Sequence, residues 1–205
     1  MDVIEIVKTK LELLIDNTYV GNERTVISDL KTVITESLLE LNGVDNLQII
    51  GKSNIRSFQD IEIVDNDKLY KIDINMHDIK KVISLPSLMS IKRAKDFLTD
   101  SNNYITYIFV DYYITTVGDD DDSREIIKIK KISVQNIESL DWSYLSIQNL
   151  GKGQLQMKNI STELTFNNDI TRKEWLAILK KKGSIYYENL LLKITEYKSK
   201  WEEDK

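Results

Sequence analysis

The apolar residues change their spacing about forty positions into the chain, and that change limits the possible folds more than any other feature of the sequence. Before it, Val3, Ile6, Val7, Leu11 and Leu14 recur every three or four positions, as do Val26, Ile27, Leu30, Val33, Ile34, Leu38 and Leu41. That is the spacing of two amphipathic helices. The second is expected over residues 22–41, stopping at Asn42-Gly43, where glycine supplies the left-handed backbone that helix ends favour. After it the period falls to two, predicting strands over 47–50, 60–64 and 69–75. The turn Asp65-Asn66-Asp67-Lys68 joins the last two into a hairpin.

Further along, Pro86 is expected just inside a third helix reaching residue 98, a position where its missing N–H costs nothing. Residues 104–116, rich in Tyr, Ile and Val, predict a long strand that pairs with 125–134. Between them lie Asp119 to Asp122, read as an exposed hairpin tip, because adjacent carboxylates alone do not converge on one ion. A short strand is expected over 154–159. Thr171 and Glu174 form a capping box for a C-terminal helix that contains Trp175, breaks at Gly183 and resumes to Trp201. This order indicates an α/β (α+β) fold with a central mixed β-sheet flanked by helices.

A length of 205 residues suits a single domain, 1–205, with helices over 1–45, a sheet over 46–165 and C-terminal helices over 170–205. The absence of cysteine excludes disulfides, thiolate zinc sites and cysteine nucleophiles and suits a reducing compartment. No apolar run is long enough to span a bilayer, so the expectation is a cytoplasmic protein with no membrane partner. A net charge of −5 argues against coating nucleic acid, although local basic clusters at Lys80-Lys81, Lys92-Arg93, Lys128 to Lys131 and Lys180 to Lys182 leave room for a cleft.

The chemistry-bearing residues lie on the hairpin. Over 69–75, Tyr70, Ile72 and Ile74 alternate with Lys71, Asp73 and Asn75, giving one core face and one polar face. Any surface strand shows that alternation. Asp60, thirteen residues earlier at the start of the other strand, adds a second carboxylate that the turn brings alongside Asp73. Two such carboxylates suit a hard divalent ion, which lowers the pKa of bound water and neutralises phosphate charge.

Asp60, then Asp73-Ile74-Asn75, resembles the PD-(D/E)XK nuclease motif. The stretch through Leu85-Pro86-Ser87-Leu88-Met89-Ser90, with Leu155-Gln156-Met157-Lys158 and Thr171-Arg172-Lys173-Glu174-Trp175, is similar to blunt-cutting type II restriction endonucleases of the HincII kind. The resemblance covers about half the chain, in three blocks. It implies a restriction-endonuclease-like sheet, Mg²⁺ as cofactor, and metal ligands at Asp60, Asp73 and the Ile74 carbonyl. It also implies a water-orienting side chain at Asn75 and a completing helix acid, best placed at Glu23, with Glu36 in reserve. DNA contacts would come from Lys80, Lys81, Ser84, Ser87, Asn149, Lys152, Gln154 and Gln156, with glycines near 151–153 admitting close backbone approach. The partner would be double-stranded DNA, cut at a short palindromic site by a homodimer joined through the first helices or the C-terminal helix.

Asn75 departs from the motif, whose last position is usually Lys, and an amide neither takes up a proton nor carries charge. Lys71, two residues earlier on the same face, is one substitute. A structure-specific repair nuclease and a catalytically silent DNA-binding protein are the alternatives. His77, the only histidine, has no evident partner to orient it and is expected at a surface or phosphate-facing position, and the tryptophans are expected in the core or an interface.

Overall fold

In the computed structural model, residues 2–20, 25–51, 60–80, 87–118, 124–148, 153–158, 166 and 169–203 are described. Contacts cluster into two units, one comprising Met1–Ser84 with Asp100–Ile137 and the other Leu85–Thr99 with Glu138–Lys205.

The first unit begins with helix α1 (Val3–Glu12), whose N-cap Asp2 accepts a hydrogen bond from the Ile4 N–H at 3.3 Å. Helix α2 (Val26–Leu39) follows, and the chain leaves it through Gly43 at φ +88°, as the Asn42-Gly43 pair predicts. The strands are β1 (Thr18–Val20), β2 (Gln48–Gly51), β3 (Ile61–Asp65), β4 (Lys68–Asp78), β6 (Asn103–Val117) and β7 (Arg124–Asn136). They form one mixed sheet in the order β1-β7-β6-β4-β3-β2, in which only β4 and β6 run parallel. The β3–β4 hairpin turns on Asn66, which takes the left-handed conformation (φ 54°) that such a tight turn needs.

One face of this sheet carries the core. Val3, Ile6, Val7 and Leu11 of α1 and Val26, Leu30, Ile34 and Leu38 of α2 pack with Ile61, Ile63, Tyr70, Ile72, Ile74, Ile108 and Val110. The 3.6-residue stripes of the helices thus meet the period-two stripes of the strands, as the sequence requires. The α+β class with a central mixed sheet and helices stands.

The second unit contains β5 (Ser87–Ser90), helix α3 (Ile91–Leu98), β8 (Leu145–Gln148), β9 (Gln154–Met157) and the 32-residue helix α4 (Arg172–Glu203). Its strands form an antiparallel sheet in the order β5-β9-β8. Two expectations are corrected here. The third helix starts at Ile91 and not near Pro86, because Ser90 caps it by accepting from the Arg93 N–H at 3.3 Å while residues 87–90 pair with β9. Pro86 itself lies outside the described residues.

Helix α4 does not break at Gly183. There the helix packs against α3, and a Cβ on Gly183 would stand 3.4 Å from Ile91 Cδ1, an ordinary van der Waals contact. The capping box forms as expected, with the Thr171 N–H donating to Glu174 at 2.9 Å and the Glu174 N–H to the Thr171 hydroxyl at 3.3 Å. Trp175 is fully buried and donates its indole N–H to the Leu140 carbonyl. No described helix is long and apolar enough to cross a membrane.

Candidate functional site

Strand β4 lies between β3 and β6, and its alternation places Lys71, Asp73, Asn75 and His77 on the face opposite the helix-covered core. The parallel register sets Asp73 beside Tyr107, Asn75 beside Phe109 and His77 beside Asp111. On the other side Glu62 pairs with Lys71 and Ile61 with Ile72, and the paired strand ends one residue short of Asp60. The Asp60 N–H donates to the Ile72 carbonyl at 2.8 Å, one residue off that register, and Asp60 lies close enough that its charge and a side-chain hydrogen bond both act on the Asp73 carboxyl. The hairpin therefore places the two carboxylates side by side.

Asp60 Oδ2 accepts from the Ile74 N–H at 2.9 Å and from Lys31 Nζ at 2.9 Å. Asp73 accepts from the Asn75 amide at 3.2 Å. Burial, and after it the charge of Asp60, raise the Asp73 carboxyl to about 7, against the opposing pull of Lys31 and the Asn75 hydrogen bond. Two acids that cannot both shed their protons freely are an arrangement that a cation relieves.

Tyr107 completes the arrangement. Its side chain is fully buried, and its hydroxyl has no hydrogen-bond partner among the described residues. Burial and then the Asp73 charge push that hydroxyl well above its ordinary range, which places it within electrostatic reach of Asp73. An unpaired buried hydroxyl costs about 1–3 kcal/mol, so a group that accepts from it would recover stability.

Among the described residues no cluster of three or more His, Cys, Asp or Glu side chains is present. Asp60 and Asp73 are the two carboxylates that lie close together, a pair to which further oxygen donors from backbone, water and substrate would have to be added to hold a hard divalent ion.

Several predicted residues fall elsewhere. Glu23, Lys81, Ser84, Asn149 and Lys152, and the acidic loop at Asp119 to Asp122, lie outside the described residues, as does the side chain of Ser87. Glu36 is exposed on α2. Lys71 does not stand in for the absent lysine of the motif, because its ammonium lies 3.4 Å from Glu62. Lys80 donates to the Ile114 carbonyl at 2.8 Å and lies over the Tyr113 ring. Gln154 and Gln156 are half-buried on β9 of the second unit, paired across the sheet with Gln148 and Ser146. Gly153 (φ +64°) uses its freedom for packing inside that unit, since a Cβ there would stand 2.9 Å from the Tyr186 ring. His77 is oriented after all, with Nδ1 2.9 Å from Asp111 Oδ1.

Sequence reasoning missed Lys31 and Tyr107. Lys31 follows the buried Leu30 on the rim of the apolar stripe of α2, which marks it as a boundary residue without saying what it reaches. Tyr107 sits in a run of apolar residues that reads as core throughout.

No family model matches the chain. A curated relative does. It is the cyclic di-GMP phosphodiesterase PdeA of Borreliella burgdorferi, 29% identical over 201 residues, an alignment that takes in 96% of this chain and 27% of the relative. The chain thus spans about a quarter of the length of the protein it matches. This relative overturns the expectation of a type II restriction endonuclease, and the DNA-directed alternatives are set aside with it: the likeness along nearly the whole chain is to a different hydrolase. Short carboxylate motifs recur among unrelated chemistries, so three brief blocks of resemblance did not fix the substrate.

Proposed function

We propose that the first unit holds a divalent-metal centre for hydrolysis of a phosphodiester bond, with a cyclic dinucleotide as the substrate class. The observation that carries this reading is the Asp60–Asp73 pair, in which burial and mutual charge keep the Asp73 proton to about pH 7, beside a buried Tyr107 hydroxyl with no hydrogen-bond partner among the described residues. The name of the relative supplies the substrate class.

In this reading Asp60, Asp73 and the Ile74 carbonyl hold Mg²⁺ or Mn²⁺. The ion would lower the pKa of bound water and neutralise charge on the phosphate. The protein's own groups do the rest. Asn75 donates to Asp73 and fixes the rotamer of that carboxylate. Lys31 lies on Asp60 and supplies the positive charge that position 75 lacks, within reach of an anionic substrate. Tyr107 presents a donor from a dry environment, where a hydrogen bond to an oxyanion is stronger than in water.

The test is incubation of the purified chain with cyclic di-GMP and either Mg²⁺ or Mn²⁺, with the linear dinucleotide followed by chromatography. Wild type is expected to produce it, and Asp60→Asn and Asp73→Asn to fall to the background rate while remaining folded. Absence of hydrolysis by wild type with both ions, or undiminished turnover in either variant, removes the assignment.

A further inference from the structure

We propose that His77, held by Asp111, forms a second phosphate subsite, which receives the phosphoryl group one ribose away from the scissile bond. The subsite rests on the phosphodiester reading of Asp60 and Asp73 and extends it along the same strand. His77 Nδ1 lies 2.9 Å from Asp111 Oδ1, and both side chains are 34% exposed. The carboxylate fixes the ring, and Nε2, which makes no hydrogen bond to a described residue, is the atom left for a ligand. An imidazole set between a carboxylate and a phosphate carries a proton on each nitrogen and donates through both.

The spacing along β4 selects the ligand. His77 shares the polar face with Asp73, four residues earlier. At a rise of about 3.3 Å per residue the two positions stand about 13 Å apart. Contacts of about 3 Å at either end leave roughly 7 Å for the ligand between them. One phosphoryl group falls well short of that gap. A ribose carrying phosphoryl groups on both its 3′ and 5′ oxygens fills it, and this is the repeating unit of a dinucleotide.

The surrounding charges admit an anion at this end of the sheet. Lys131 of β7 stands directly across from Asp111, on the same face. A bulge follows: Asp111 pairs with Lys131 and Tyr112 with Ile129, so Lys130 is the extra residue. The bulge lets Ile129 and Ile132, three positions apart, both enter the core, and it sets Lys130 beside Lys131. Two residues past His77 and Asp111, Ile79 and Tyr113 line a cleft of about 420 Å³ with Asp16, Lys80, Ile129 and Lys130. Lys80 is fixed there by the Ile114 carbonyl and the Tyr113 ring, and Lys128 stands across from Tyr113. Four lysines thus meet Asp16, Asp78 and Asp111 at this end, and a protonated His77 faces a phosphate with no deficit of positive charge.

The test is calorimetry at pH 6 without divalent ion, using two linear probes that differ by one phosphoryl group, pGpG and its 5′-dephosphorylated form GpG. Wild type is expected to bind pGpG about tenfold more tightly, the worth of one charge-assisted hydrogen bond. His77→Ala and His77→Gln should each abolish the preference while leaving the affinity for GpG unchanged, which also reports an intact fold. Asp60→Asn should keep it. Asp111→Ala removes a negative charge, so a simple basic surface would then hold pGpG more tightly, whereas a subsite built on an oriented imidazole holds it less tightly. A wild type without the preference, including one that binds neither probe, overturns the proposal. So does a preference that survives loss of His77, or tighter binding of pGpG by Asp111→Ala. A retained preference with no hydrolysis in the presence of Mg²⁺ or Mn²⁺ would remove the metal centre and leave the phosphate subsite standing.

Discussion

Asp73 holds its proton to about pH 7 because burial and the neighbouring Asp60 disfavour a second negative charge. In the unfolded chain the same group titrates near 3.9. Between those values the folded state binds the extra proton, so this residue lowers stability as pH rises from about 4 to about 7, and the deficit is complete above that. A shift of this size corresponds to at most about 4 kcal/mol, reduced by half or more by the solvent that reaches a half-buried group. Asp73→Asn is therefore expected to stabilise the protein by about 1–2 kcal/mol at pH 8 and by little at pH 4 while abolishing hydrolysis. Urea denaturation at the two pH values checks this, and a net loss of stability at pH 8 would contradict the charge argument.

Tyr107 makes the opposite kind of test from an ordinary core residue. Its ring is packed beside Phe109, with centroids 5.9 Å apart, and Phe in its place keeps that packing. Removing a buried hydroxyl that lacks a partner among the described residues should leave stability unchanged or raise it by about 1 kcal/mol. If the hydroxyl serves the site, Tyr107→Phe should at the same time weaken substrate binding, measured by calorimetry with a non-hydrolysable analogue. A variant that loses stability and binds as well as wild type would assign the hydroxyl a structural role instead.

At the scale of elements, the segments set by local period were legible in the sequence: α1, α2, the β3–β4 hairpin, β6 and β7 lie where apolar spacing and turn residues place them. The errors arose where a distant partner decides. Residues 87–90 became a strand because β9 pairs with them, a contact no local pattern announces. β1 is three residues long and exists by pairing with β7. Gly183 reads as a break, but packing against α3 keeps α4 continuous, since helix propensity is a weak prior that tertiary contact overrides.

Gly153 offers the element-scale prediction. Both its left-handed backbone and its closeness to Tyr186 and Ile91 exclude a side chain, so Gly153→Ala should destabilise the second unit by about 1–3 kcal/mol. Thermal unfolding followed by tryptophan fluorescence reads this directly, because Trp142 and Trp175 belong to that unit with rings 5.1 Å apart. An unchanged midpoint would mean that the Tyr186 ring moves aside without cost.

For the molecule as a whole, a ligand that binds only the folded chain raises its stability by about 2.7 kcal/mol at a hundredfold excess over its Kd. Mn²⁺ or Mg²⁺ is expected to raise the unfolding midpoint more at pH 8 than at pH 6, because the Asp73 proton competes with the ion at the lower pH. The increment should vanish in Asp60→Asn. An equal shift at both pH values, or one that persists in that variant, would place the ion elsewhere.

The sequence by itself determined the helical and strand segments, the mixed-sheet class and the meeting of Asp60 with Asp73, because each depends on spacing along a short stretch of chain or across one tight hairpin. Only the tertiary structure decided that Lys31 reaches Asp60, that Tyr107 lies beside Asp73 and that contacts divide into two units drawn from discontinuous segments. The parallel β4–β6 pairing and the seat of α2 join residues far apart in sequence. Such contacts are chosen by burying the largest shared apolar face, a property of the whole assembled surface that no local window contains.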